Sequence, residues 1–422
     1  MGQDKLEAMG DFPFARLNRL VDGVTPPDGL VPIAMQIGEP QAAVPDHVMA
    51  DIAARADLFG RYPPPPGSDA YRGAVADWLV RRYALAPGSV DPATQVIATS
   101  GSREALFQAA LAAAARKQAR LPDGVRPAVL VPNPLYHVYA GGAYMADCDL
   151  IPVATTPEND FTPDYAGLPE EVLARTAICF LCTPGNPTGA VAKAGAIAAM
   201  IQLARAHDFT LAVDECYSEI WFDRPPPGGL EVAAGMDEAG TNLADIFSHV
   251  LTFNSLSKRS GAPGLRCGFI AGDAGRIADI ARVRSYGGAT LPGPLMHAGA
   301  HLWGEETHVA ANRARYGELV DIAESALGHL PGYRRPEAAF FLWLDVRPAF
   351  PDGETAARAL WERHGVKVMP GRYMARAESG NHAGGDACSG PTPGDAHVRI
   401  ALVHAPAVTR DACARIASCM DG

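Results

Sequence analysis

The segment TFNSLSKRSGAPGLRCGF, residues 252–269, sets one lysine after a β-rich run and two hydroxyls, with an arginine eight residues further on. An amine in that company can do carbonyl chemistry. Imine formation needs a lysine that is partly desolvated or held beside positive charge, because a free lysine is mostly protonated and a poor nucleophile. Lys258, between Ser255 and Arg266, meets that description, whereas a lone lysine in a loop would be read as surface charge. Three further motifs close apolar runs: CTPGNPTG (182–189), VDECY (213–217) and ATSGSREAL (98–106). The last turns into a helical pattern, and a helix N-terminus binds phosphate through its free backbone N–H groups and its dipole. Gly101 and Ser102 are therefore candidates for an anion cup, although Ser102 alone reads equally as an ordinary N-cap. Arg399, in VRIALV, is a planar bidentate donor suited to a carboxylate, and an inward-pointing arginine on a strand is costly without an anion.

Groups so far apart in sequence need a scaffold that gathers them. At 422 residues the chain exceeds the size at which one hydrophobic core stops growing, so two packed bodies are expected. Hydrophobic residues at 48% and charged residues at 20% match an ordinary globular protein. Short β-rich runs alternate with longer helical patterns, which defines an α/β fold. The runs AVLVP (128–132), AICFLC (177–182), FTLAVDE (209–215), VLTFNS (250–255) and CGFIAG (267–272) are nearly continuous in hydrophobicity, as in parallel strands covered on both faces. SREALFQAALAAAARKQAR (102–120) and AGAIAAMIQLARAHD (194–208) have apolar residues at helical spacing. The central body therefore reads as a large, doubly wound, mostly parallel sheet. After about residue 300 a long helical stretch and the strands FFLWLDV, VKVMP and VRIALV indicate a smaller α+β domain. The expected division is 1–43 as an N-terminal arm and part of the small domain, 44–295 as the large domain, and 296–422 as the C-terminal small domain. NHAGGDACSGPTPGDA (381–396) reads as a surface loop. In such a sheet, ligands bind beyond the carboxyl ends of the strands, where the polar motifs fall.

The motifs and their order resemble the pyridoxal-phosphate-dependent aminotransferases of class I/II, which have fold type I. Their pattern Ser-x-Ser-Lys followed by Gly-x-Arg is matched by Ser255, Ser257, Lys258, Gly264 and Arg266. The resemblance implies that Lys258 carries the cofactor as a Schiff base and that Ser255 and Arg266 complete the phosphate cup of Gly101 and Ser102. It makes Asn186 a partner of the cofactor ring oxygen, close to the substrate, and Tyr217 a second partner of that oxygen. It makes Asp214 the partner of the pyridine nitrogen, whose protonation turns the ring into an electron sink. Glu215, which points the other way on the strand, is read as structural. Tyr136, in NPLYHVY, matches the residue stacked on the ring, with a core tyrosine as the plain alternative. Arg399 and the backbone of Gly38, in IGEP, match the substrate-carboxylate site. Tyr62, in YPPPPG, matches a residue that reaches the phosphate of a neighbouring subunit, which implies a homodimer with shared active sites. The matching motifs run from residue 37 to residue 403.

Within the family, SLSKRS with PGLRCGF, and YPPPPGSDAYRGAVADWLVRRY, resemble the succinyldiaminopimelate aminotransferases of bacterial lysine synthesis. That implies N-succinyl-L,L-diaminopimelate and glutamate as amino donors, with 2-oxoglutarate as an acceptor. Aspartate, alanine and acetylornithine transaminases and pyridoxal-phosphate-dependent carbon–sulfur lyases share the cofactor site and stay open as alternatives. A cofactor-binding regulatory module would need a DNA-binding segment, and none is visible. An arginine for the distal end of the substrate, such as Arg284, is not readable from spacing. The loop at 381–396 departs from the subgroup in lacking an Asn-Pro-Gly element.

The net charge of -11 disfavours nucleic acid and anionic lipid as partners. The first twenty residues hold no unbroken apolar core, and no run approaches the ~20 apolar residues of a membrane helix, so a cytoplasmic protein is expected. Eight cysteines are too sparse for a disulfide scaffold. Cys179 and Cys182 form a CxxC inside an apolar run and are read as buried strand thiols, and no metal is assigned.

Overall fold

Seven of the apolar runs pair into one sheet in the computed structural model, which describes residues 5–236, 245–377 and 390–422. Twelve strands follow one another along the chain: β1 (Ile33–Ala34), β2 (Val96–Thr99), β3 (Ala128–Asn133), β4 (Asp149–Ala154), β5 (Thr176–Cys182), β6 (Thr210–Asp214), β7 (Val250–Ser255), β8 (Gly268–Gly272), β9 (Phe341–Asp345), β10 (Val366–Lys367), β11 (Met369–Pro370) and β12 (His397–Ala401). The large sheet has the order β2-β8-β7-β6-β5-β3-β4. Every pairing in it is parallel except those of β8, which is antiparallel to both β2 and β7. The doubly wound, mostly parallel sheet anticipated above is thus present, with one correction: CGFIAG is not a parallel strand. Only residues 256–267 separate it from β7, and they hold a single helical turn, Leu256–Arg259, and the 3-10 turn Pro263–Leu265. That connection lacks the long helical crossover that parallel pairing requires.

Strands β2, β3, β6, β7 and β8 are buried at every position, because helices cover both faces. One cover is Ser102–Gln118, whose alanines at 105, 109, 110, 112, 113 and 114 let it lie close on the sheet. Each fully buried Val, Leu, Ile or Phe in these strands contributes about 1.5–3 kcal/mol relative to exposure. The registers bring strand ends side by side: Cys182 of β5 lies opposite Asp214 of β6, and Asp214 lies opposite Phe253 of β7. The best-packed part of the molecule therefore fixes the edge from which the polar motifs emerge.

A second core gathers around the antiparallel sheet β11-β12-β9, covered by the helices Thr307–Leu327, Gly353–His364 and Pro406–Asp421. VKVMP does not run as one strand. It splits at Val368, so that β10 pairs in parallel with β1 while β11 pairs with β12. The β1–β10 pair draws the segment Met35–Gly38 beside β12, where Ala401 N donates to Met35 O. Arg399 stands in the middle of β12, opposite Trp343 on one side and Met369 on the other. Residues 381–389 of the anticipated surface loop lie outside the described residues. Among the described residues no helix is long and apolar enough to cross a membrane.

Candidate active site

Beyond the carboxyl ends of β5, β6 and β7 lies a cavity of about 530 Å³, a size suited to a small organic ligand. It is lined by Gly38, Ser102, Tyr136, Asn186, Asp214, Tyr217, Ser255, Lys258, Arg266 and Arg399, so most of the residues singled out in the sequence meet here. Gly101 adjoins them as the N-cap of the helix that Ser102 begins. Tyr62 is the exception: it is fully exposed, at 102%, and does not line the cavity of its own chain.

Lys258 projects from the short helix after β7, with Nζ 2.6 Å from Gly38 O and 5.5 Å above the ring of Phe340. It is partly accessible and lines the cavity. Burial pulls its pKa down from 10.5 to about 8, with Arg399 acting in the same direction. At pH 7 that raises the neutral-amine fraction from about 0.03% to about 10%, as a nucleophilic lysine requires. Gly38 is tightly placed: a Cβ there would come within 2.7 Å of the Phe341 ring.

Asp214 ends β6 and is buried. Burial pushes its pKa above the ordinary carboxylate value, while hydrogen bonds from Tyr139 Oη at 2.7 Å and the backbone N–H of Cys216 at 3.3 Å favour the charged form. No arginine or lysine neutralises it among the described residues, so the site holds a carboxylate that a cationic ligand nitrogen would complete. Glu215, one residue on, faces away as anticipated. It accepts from Tyr83 Oη at 2.6 Å, Gly229 N at 2.7 Å and Thr252 Oγ1 at 3.1 Å, and burial lifts its pKa to about 7.

An anion cup forms where β2 turns into the helix Ser102–Gln118. Gly101 is the N-cap, at φ +93°, and no side chain caps the helix. The N-cap reading of Ser102 is therefore not realised: Ser102 is the first helical residue, and its hydroxyl accepts from the Cys216 thiol at 3.0 Å. A Cβ on Gly101 would collide with the Arg266 guanidinium, which packs across the glycine and donates to Ser100 O at 2.8 Å. Uncapped N–H groups, hydroxyls and a guanidinium are a donor set for phosphate. Ser255 closes the cup, its hydroxyl lying 2.8 Å from Ser257 Oγ and 3.1 Å from Cys267 O.

Opposite, Arg399 is 7% exposed and, among the described residues, hydrogen-bonds only neutral oxygens, Asn186 Oδ1 at 2.9 Å and Gln36 O at 2.8 Å. Its Nε is buried without a partner, and burial lowers its pKa to about 10. A desolvated guanidinium with no carboxylate partner is a site for an anionic ligand. Asn186 gives its carbonyl oxygen to Arg399, which leaves its N–H groups for a ligand.

The structure adds residues that the sequence did not flag. Tyr139 holds Asp214 and stacks on Phe180, with ring centroids 4.3 Å apart and planes 9° apart. The available signal was its place one helical turn after Tyr136. Arg103 Nε donates to Tyr136 Oη at 3.1 Å, steadying that ring. Cys182 is not a wholly buried strand thiol, because it lines the cavity beside Asp214, whereas Cys179 is fully buried. From the N-terminal segment, Phe12 and Phe14 wall the cavity, with Phe12 5.6 Å from the ring of His137. Burial drops the His137 pKa to about 3, and Arg376, Arg16 and Arg399 push it the same way, so that wall is a neutral imidazole in a positive field. Arg284 is instead spent inside the protein on Gln108 Oε1 and Ala98 O.

Tyr139→Phe keeps the ring stack and removes one hydrogen bond to a buried carboxylate, worth about 1.5–3 kcal/mol. The expected result is a fall in kcat of roughly 10- to 100-fold with KM little changed. Losing a donor to the charged form raises the pKa of Asp214, so the acid limb of the pH–rate profile should move to higher pH. Steady-state kinetics across pH checks both.

An amine with lowered pKa, a buried carboxylate, a phosphate cup and a waiting guanidinium, all at the carboxyl edge of a doubly wound sheet, can hold a phosphorylated aldehyde with a cationic ring nitrogen beside a substrate carboxylate. The chain belongs to the aminotransferase class I and II family, whose model matches residues 32–416. It is 34% identical over 376 residues to an LL-diaminopimelate aminotransferase of Desulforudis audaxviator, covering 87% of this chain and 88% of that one. Another LL-diaminopimelate aminotransferase, from Moorella thermoacetica, is 30% identical over 87% of this chain and 89% of its own. Among solved structures, an aminotransferase from Neisseria meningitidis superposes with a TM-score of 0.87 at 34% identity, over 98% of each chain. An aspartate aminotransferase from Thermus thermophilus superposes with a TM-score of 0.79 at 26% identity, over 99% of this chain and all of the other.

Proposed function

We propose that this transaminase transfers the amino group of N-succinyl-L,L-diaminopimelate to 2-oxoglutarate, giving the corresponding keto acid and glutamate, and catalyses the reverse. When bound, pyridoxal phosphate supplies the aldehyde and the electron-withdrawing ring on which amino transfer depends. The protein's residues then divide the work. Lys258 Nζ would hold the cofactor aldehyde and would carry the proton to and from the substrate α-carbon. Asp214, oriented by Tyr139 and Cys216, would keep the ring nitrogen protonated. Asn186 and Tyr217 would bond the ring oxygen, Tyr136 would stack on the ring, and Gly101, Ser102, Ser255 and Arg266 would hold the phosphate. Arg399 and the Gly38 backbone clamp the α-carboxylate common to both donors. Tyr62, fully exposed on its own chain, reaches the phosphate of a second subunit in a homodimer, with residues 44–295 as the cofactor-binding body and 1–43 with 296–422 as the smaller one. We place this enzyme in the cytoplasm.

The diaminopimelate skeleton is supported by the names of the relatives. The succinylated form is supported by the wording around Lys258 and by one feature of the cavity. The wall formed by Phe12 and His137 combines apolar surface with the field of Arg16 and Arg376, which suits an acyl chain ending in a carboxylate. Free LL-diaminopimelate is the second reading. It is favoured by the relatives' names and by Glu39, a carboxylate at the cavity that could take a distal ammonium. The test is kcat/KM for the succinylated and free amino acids beside aspartate, alanine and acetylornithine. The succinylated substrate is expected to lead. A tenfold lead for free LL-diaminopimelate selects the second reading, and a tenfold lead for any of the other three removes the skeleton itself.

A further inference from the structure

We propose a transition-metal site, remote from the active-site cavity, formed by His47, Asp51 and His301. His47 and Asp51 are one turn apart on the helix His47–Ala54, so their side chains share a face. His301 comes from the helix Gly293–Gly304, which lies against it. Both imidazoles aim Nδ1 at the same carboxylate oxygen, Asp51 Oδ2, at 2.9 Å from His47 and 2.8 Å from His301. The three ligand atoms all lie within 4.8 Å of one another, and the two rings are 4.2 Å apart between centroids.

Two imidazoles and one carboxylate are a donor set for zinc, nickel or copper and a poor one for magnesium or calcium, which take oxygen ligands. Bonds of ~2.0–2.1 Å in tetrahedral geometry separate ligand atoms by roughly 3.3 Å, so a zinc ion needs the carboxylate to withdraw by about 0.5 Å and the two imidazole nitrogens, which lie within 4.8 Å of each other, to settle at that spacing. The His301 side chain is 49% exposed and that of Asp51 19%, which leaves the outer coordination positions to water. The ion would clamp two helices. One of them leads through the turn Ala56–Gly60 towards Tyr62, and Gly293 of the other sits against Leu58 of that turn.

The test is equilibrium dialysis of the cofactor-loaded enzyme against zinc, with bound metal counted per chain and thermal stability followed in parallel. The parent should hold one zinc per chain at this site and melt at higher temperature with zinc than without. His301→Gln and Asp51→Asn should each bind this zinc at least about 100-fold more weakly, exceeding the ~10- to 100-fold cost of losing an outer-shell partner. Both should lose the thermal shift while keeping metal-free transamination. Should either variant melt much earlier than the parent without metal, His47→Gln replaces it. No zinc on the parent, or equal zinc and an equal thermal shift in parent and variants, overturns the proposal.

Discussion

Lys258→Ala is expected to abolish transamination, a loss of roughly 10^4- to 10^6-fold, the scale seen when a group that acts covalently is deleted. The change should leave the fold intact. The side chain contributes one hydrogen bond, to Gly38 O, and its burial disfavours the charged ammonium, so removing it takes away an unfavourable desolvation as well as a contact. No other lysine can stand in: the chain has five, and Lys5, Lys117, Lys193 and Lys367 do not line the cavity. Turnover by the variant, with far-UV circular dichroism and melting temperature compared with the parent, checks both halves. A turnover within tenfold of the parent would remove Lys258 from the reaction.

The second largest effect is expected at Asp214. Asp214→Ala should retain the cofactor, because the phosphate cup and Lys258 are untouched, and should slow the reaction by at least about 100- to 1,000-fold. On the proposed role, a buried carboxylate, hydrogen-bonded by Tyr139 and Cys216, would fix a proton on the ring nitrogen that the ring needs as an electron sink. A sign follows for pH. Burial raises the pKa of Asp214, so its ionised form is lost at a higher pH than for an ordinary carboxylate, and activity that requires that form falls as pH drops through this raised value. The variant should lack this acid limb. Cofactor content by absorbance and single-turnover rates with glutamate across pH settle it; a near-normal rate contradicts the role.

Much of the site was legible because its residues are tied to short motifs at strand ends, where type and spacing carry the chemistry. Lys258, Asp214, Asn186 and Ser102 belong to such motifs, and the parallel register of β5, β6 and β7 gathers three of them at one edge. Arg399 was legible because an arginine in an apolar strand demands an anion. Other features depend on tertiary packing that no local pattern reports. The antiparallel course of β8 follows from the shortness of its connection to β7, not from its apolar composition, which is like that of its parallel neighbours. The split of VKVMP arises because two partner strands, β1 and β12, claim its two halves. Tyr139 reads from sequence as one more core aromatic, and only its 2.7 Å approach to Asp214 marks it out. Phe12, Phe14 and His137 come together from distant segments, so this wall of the cavity was beyond reach of spacing.

The central claim, that Lys258 is the residue bonded to the cofactor, has one direct measurement: borohydride reduction of the loaded enzyme, followed by digestion and mass spectrometry of the labelled peptide. A single modified peptide carrying the cofactor mass on Lys258 is expected, and none in Lys258→Ala. Label on Lys5, Lys117, Lys193 or Lys367, or an unlabelled Lys258 in an enzyme that still turns over, would contradict it.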